Sequence, residues 1–73
     1  MKEIYFLKVK NTELYVEMKR EGAFDYCVFG AFRKASHFTS GDDKTIEQII
    51  TSYHEQKIAE IEKITYVVKK ENK

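Results

Sequence analysis

Up to about residue 40 the apolar residues of this chain alternate with polar ones, and beyond that point their period changes. In the run 4–10, Tyr5, Leu7 and Val9 share one face, opposite Ile4, Phe6, Lys8 and Lys10. The run 13–20 repeats the pattern, with Leu14, Val16 and Met18 set against Tyr15, Glu17 and Lys19. A third run, 23–29, puts Phe24, Tyr26 and Val28 opposite Asp25, Cys27 and Phe29. A period of two places successive side chains on opposite sides of an extended backbone, so these runs predict strands. Asn11-Thr12 and Glu21-Gly22 separate them with turn-forming residues, which joins the three into an antiparallel meander.

From Ile46 onward the spacing becomes helical, with Ile46, Ile49, Ile50 and Tyr53 on one stripe and Glu47, Gln48, Ser52, Glu55 and Gln56 facing water. The helix is predicted to begin at 42–44. Ser40 followed three residues later by Asp43 has the form of a capping box, and Asp42 and Asp43 complement the positive end of the helix dipole. Its end is set near Lys57. Ile58 and Ile61 extend the same stripe with no Pro or Gly in the way, so continuation to about Glu62 is the alternative. The run 64–69 is β-branched and aromatic and predicts a last strand, followed by a frayed tail over 70–73.

Between these elements, residues 30–41 show no period and predict an irregular connection with Phe32 and Phe38 tucked beneath it. The whole reads as an α+β fold, an antiparallel sheet in the order of elements β-β-β-α-β with one helix packed on one face. The uncovered face, carrying Ile4, Phe6 and Phe29, is expected to meet a partner or a second copy of the chain.

Length limits this to one domain spanning 1–73, with five Tyr and five Phe supplying much of the buried area. Thirteen Lys and Arg balance twelve Asp and Glu to leave a net charge of +1, which argues against a dedicated nucleic-acid or membrane-surface protein. Cys27 is the only cysteine, so an internal disulfide and a multi-cysteine metal site are excluded, and a reducing cytoplasm fits best. The start Met1-Lys2-Glu3-Ile4 leaves too short an apolar run for a signal-peptide core. No run approaches the roughly 20 residues of a spanning helix, so a cytoplasmic protein without membrane contact is expected.

Little in the chain points to a reaction. His37 and His54 have no Cys or carboxylate at a zinc-site spacing, and read as surface residues. Cys27 reads as a small half-buried thiol rather than a nucleophile. Asp42, Asp43 and Glu47 do not follow the spacing of a calcium loop, and capping accounts for the aspartates. Gly22, Gly30 and Gly41 are scattered singly, so no phosphate loop forms. These readings predict no catalytic residues, no metal, no cofactor and no enzymatic activity.

The segment 29–38 is the exception. Phe29, Phe32, Arg33, Lys34 and His37 mix aromatic with basic side chains, which suits the centre of a protein interface and also the stacking and phosphate contacts of nucleic-acid binding. These five are the candidate binding residues. The even charge favours a non-enzymatic protein-binding role, with nucleic acid as the alternative.

Lys34-Ala35, followed by Phe38-Thr39-Ser40, an acidic helix start and the terminal Ile-Thr-Tyr-Val-Val strand, resembles small accessory proteins encoded by phages and prophages of low-GC Gram-positive bacteria. The resemblance implies a strand, hairpin, helix and strand, and a role in binding and blocking a host or defence protein. It carries over no site residues. The stretch 56–63 is longer than the compact ending of such proteins.

Overall fold

A computed structural model describes residues 2–68. Four strands, β1 (Lys2–Val9), β2 (Tyr15–Glu21), β3 (Phe24–Gly30) and β4 (Ile61–Val68), form one antiparallel sheet in the order β3-β2-β1-β4. A single helix, α1 (Asp43–Glu55), packs against one face of it. This is the expected α+β architecture. The predicted frayed tail and the last residue of the predicted final strand, Lys69, lie outside the described residues.

β2 and β3 are paired along their whole length, from Tyr15↔Gly30 to Glu21↔Phe24. Gly22 turns the chain between them at φ +63°, the left-handed value that a two-residue hairpin turn asks of its first central residue. β4 returns after the helix to pair with β1 from Lys2↔Val68 to Val9↔Ile61. The first two strands pair antiparallel, as the meander requires, but only over a short stretch. β1 and β2 pair at Lys8↔Tyr15, with the Val9 N–H donating to the Leu14 carbonyl at 2.8 Å, and then part.

The gap is filled by the connection that the sequence pattern left irregular. Phe38 and Tyr5 exchange both main-chain hydrogen bonds at 2.8 Å on the β1 side. On the β2 side, the Ser36 N–H donates to the Val16 carbonyl at 3.1 Å, and the Met18 N–H donates to Ser36 Oγ at 2.8 Å. The N–H and C=O of Tyr5, the C=O of Val16 and the N–H of Met18 thus find partners in 36–38, as buried main-chain groups require. The chain passes through this gap from the open face of the sheet to the helix face.

The core lies between sheet and helix. Tyr5, Leu7, Val16, Phe38, Ile46 and Ile61 are buried, with Leu7 and Val16 fully so, and Val9, Met18, Cys27, Ile49, Ile50 and Tyr53 pack around them. The alternation 5-7-9 and 16-18 therefore faces the helix, as predicted. Lys63 also lies on this side and sets its ammonium 4.5 Å from the centre of the Tyr5 ring.

The helix starts at Asp43, inside the predicted 42–44, but the residues that cap and stop it differ from the predicted ones. The capping box is Thr39 with Asp42, one residue before the predicted Ser40 and Asp43: the Thr39 N–H donates to Asp42 Oδ2 at 2.9 Å across a 3₁₀ turn over Ser40–Asp42. At the other end Lys57 adopts φ +58°, its N–H donates to the His54 carbonyl, and the Ile58 N–H donates to the Tyr53 carbonyl, both at 3.0 Å. This is a Schellman stop with Lys where Gly is usual. It ends the helix at Glu55, so Ile61 belongs not to a further turn but to β4, which starts three residues earlier than predicted.

Candidate functional site

Among the described residues, no element covers the second face of the sheet apart from the 3₁₀ turn over Phe32–Lys34. Alternation places Ile4, Phe6 and Lys8 of β1 there, with Tyr15 of β2, Tyr26 and Val28 of β3, and Ile64 and Tyr66 of β4. Phe6 and Ile64 are cross-strand partners, as are Ile4 and Tyr66. Phe32 is delivered from the connection onto this surface. Its ring centre lies 4.9 Å from that of Phe6, 5.0 Å from Tyr15 and 6.1 Å from Tyr66, while Phe6 meets Tyr66 edge-on at 5.2 Å. These separations are those of favourable aromatic pairs, tilted for Phe6–Phe32, T-shaped for Phe6–Tyr66 and Tyr15–Phe32, and stacked for Phe32–Tyr66. The four rings form one cluster, and Phe32 (45% exposed) and Tyr66 (42%) present it to solvent.

The five candidate residues do not all share this surface. Phe29 lies on the helix face, where its ring meets Tyr53 edge-on at 5.5 Å. That corrects its expected place beside Ile4 and Phe6, and follows from its register opposite Val16, whose side chain is in the core. Phe32 is not tucked beneath the connection; Phe38 is the buried one. His37 stays on the open side, its ring centre 6.5 Å from Phe6. Arg33 and Lys34 are exposed in the 3₁₀ turn and have no ion-pair partner among the described residues. The structure thus gathers Phe32 and His37, flanked in sequence by two free cations, and sends Phe29 elsewhere.

Tyr15 and Tyr66 were missed as site residues, although their strand alternation already placed each opposite the core positions. Phe6 was read as lying on the uncovered face but not as a centre for binding. What the sequence could not supply is the path of the connection, which brings Phe32 over all three rings.

Two ion pairs lie on the same face. Lys8 Nζ lies 3.2 Å from Glu62 Oε2 beside the cluster, and Lys19 Nζ lies 3.8 Å from Glu17 Oε2 further along β2. Depressions elsewhere, 350 to 400 Å³ each, are open troughs along the helix and its C-terminal loop. His54 Nδ1 and Glu60 Oε2 meet at 2.5 Å across that loop, both exposed, and tie the helix end to the approach to β4. Among the described residues no three His, Cys, Asp or Glu side chains converge as a metal site would require, and no helix is long and apolar enough to cross a membrane.

Compared with protein-family models, curated proteins and solved structures, the chain matches none.

Proposed function

We propose that this chain is a non-enzymatic protein-binding module that docks another protein on the open face of its sheet. The observation that carries the reading is the Phe6, Tyr15, Phe32 and Tyr66 cluster on the side away from the helix. An exposed aromatic patch with a polar rim is the composition found at the centre of protein interfaces, where large rigid rings contribute area at small entropic cost. Arg33 beside it adds a planar cation suited to a partner's carboxylates. The resemblance to phage accessory proteins extends the proposal to a cytoplasmic inhibitor that blocks a host or defence protein.

A second reading has its own support. Phe32 and Tyr66 lie within 29° of parallel, and the unpaired Arg33 and Lys34 stand next to Phe32, an arrangement that suits stacked bases and neighbouring phosphates. Affinity capture from the native host, with and without nuclease, separates the two. A protein partner retained after nuclease treatment and lost with Phe32→Ala supports the first reading. A partner that vanishes with nuclease, and whose binding weakens steeply with salt, supports the second.

A further inference from the structure

Residues 19–26 are all exposed although they run through two strands and their turn. Beyond Met18, β2 has no strand neighbour on its β1 side among the described residues, so there the β2–β3 hairpin is a two-stranded ribbon. Ribbons of this kind are marginal in water unless something covers them. The outer edge of the ribbon is β3. It carries one charge, Asp25, and that carboxylate is already 3.4 Å from Arg20 Nε within the same hairpin. No proline interrupts it, and its register with β2 is continuous from end to end. The other edge of the sheet, β4, carries Glu62 and Lys63, charges of the kind that discourage strand pairing.

The direction of the main-chain groups on β3 is fixed by those on β2. Leu14, Val16 and Met18 turn their groups toward β1 and the connection, so Tyr15, Glu17, Lys19 and Glu21 turn theirs toward β3. Their partners Gly30, Val28, Tyr26 and Phe24 are thereby used up, and Asp25, Cys27 and Phe29 point N–H and C=O outward.

We infer that β3 pairs antiparallel with β3 of a second copy of this chain, about a two-fold axis through Cys27. This register matches the strand to its full length. Cys27 faces Cys27 of the partner subunit, and Asp25 faces the partner's Phe29, so each outward residue lies in a pair that exchanges both hydrogen bonds. It also places Phe24 opposite the partner's Gly30. Phe24 is 78% exposed, the most of any large apolar side chain described, and a side chain at Gly30 would meet nothing within 4 Å. The ring fills that space beside the open-face aromatic cluster of the other copy, an aromatic-over-glycine pair across strands. The weakly supported tip of each ribbon is thus backed by the base of the other. The result is one continuous eight-stranded sheet with both helices on the same side. This association is made by main-chain pairing at the sheet edge and adds only the partner's Phe24 at the margin of the open face, so it stands or falls independently of the docking reading above.

Sedimentation equilibrium of the intact chain and of Phe24→Glu, together with amide hydrogen exchange by NMR across a dilution series, tests it. The expected result is a dimer whose Asp25, Cys27 and Phe29 amides are as protected as those of Tyr26 and Val28, and lose that protection on dilution. Phe24→Glu should weaken association about tenfold or more, with the fold unchanged because the ring is exposed. A monomer at the concentrations NMR requires, or a dimer in which those three amides exchange freely, overturns the inference. A dimer with the three amides protected but indifferent to Phe24→Glu overturns the register.

Discussion

Tyr5 and Phe38 exchange both of their main-chain hydrogen bonds at 2.8 Å, although one lies in the first strand and the other in the segment leading to the helix. The pair closes the β1 side of the split sheet and carries the Phe38 ring into the core, where it is 5% exposed. Phe38→Ala should therefore cost about 3–5 kcal/mol, comparable to the whole stability of a small domain. Urea denaturation of the variant measures it. A loss below about 1 kcal/mol would show that 36–38 is not part of the sheet.

The helix stripe is uneven in its burial. Ile46 is the buried residue of α1, whereas Ile50, central by sequence, is only partly covered. Ile46→Ala should cost about 2–5 kcal/mol, and Ile50→Ala should fall at or below the lower end of that range. The reverse order in thermal unfolding would mean that the helix is rotated about its axis.

Lys57 holds φ +58° at the helix stop, a conformation that costs a residue with a side chain about 1–2 kcal/mol and glycine almost nothing. Lys57→Gly should stabilise the fold by about 0.5–1 kcal/mol, since the greater freedom of glycine in the unfolded chain offsets part of the gain. A destabilised Lys57→Gly protein would argue that the lysine side chain has a role of its own.

The stability should also fall at alkaline pH for an identifiable reason. The Tyr5 hydroxyl donates to Glu3 Oε1 at 2.8 Å, and this bond, then burial, then the nearby charges of Glu3 and Asp43, raises its pKa above the ordinary 10.0. Tyr53 is raised by burial first and by Cys27 second. A phenol held neutral in the fold ionises more readily once unfolded, so the stability due to these groups is intact below about pH 10 and is lost as pH rises through the folded values. Urea midpoints against pH, followed with tyrosinate absorbance, should show the fall, and Tyr5→Phe should lessen it. Tyr5 ionising in the folded protein at its ordinary value would remove the explanation.

The strands and the helix were legible because period two and period three to four each bury one face, and Leu7, Val16 and Ile46 obey that rule. The helix end was legible only as a choice between Lys57 and about Glu62, of which the structure bears out the first, because the stop depends on a left-handed Lys57 where the sequence offers no glycine to mark it. The split between β1 and β2 was hidden for a different reason. Alternation assigns side chains to faces but does not say whose main chain fills a gap, and Ser36 and Phe38 look like loop residues until their partners are known. The site was half legible for the same reason: Phe32 could be singled out, but the strand residues beneath it depend on where the connection crosses the sheet.

Arg33 and Lys34 separate the two functional readings most directly. Both are exposed and free of ion pairs among the described residues, so replacing both with Ala should change stability by no more than about 0.5 kcal/mol per site. Phe32→Ala removes the ring that touches Phe6, Tyr15 and Tyr66, and since it is half-exposed its cost to folding should be about 1–2 kcal/mol, well short of a buried phenylalanine. For a protein partner, Phe32→Ala should weaken binding by about 2 kcal/mol or more. The double variant should then cost about 1 kcal/mol, chiefly through Arg33, whose planar fork forms paired hydrogen bonds. For nucleic acid, the double variant should also flatten the salt dependence by about one unit for each phosphate contact removed. Isothermal titration at two salt concentrations distinguishes these outcomes. A partner indifferent to all three substitutions would show that the open face is not where binding occurs.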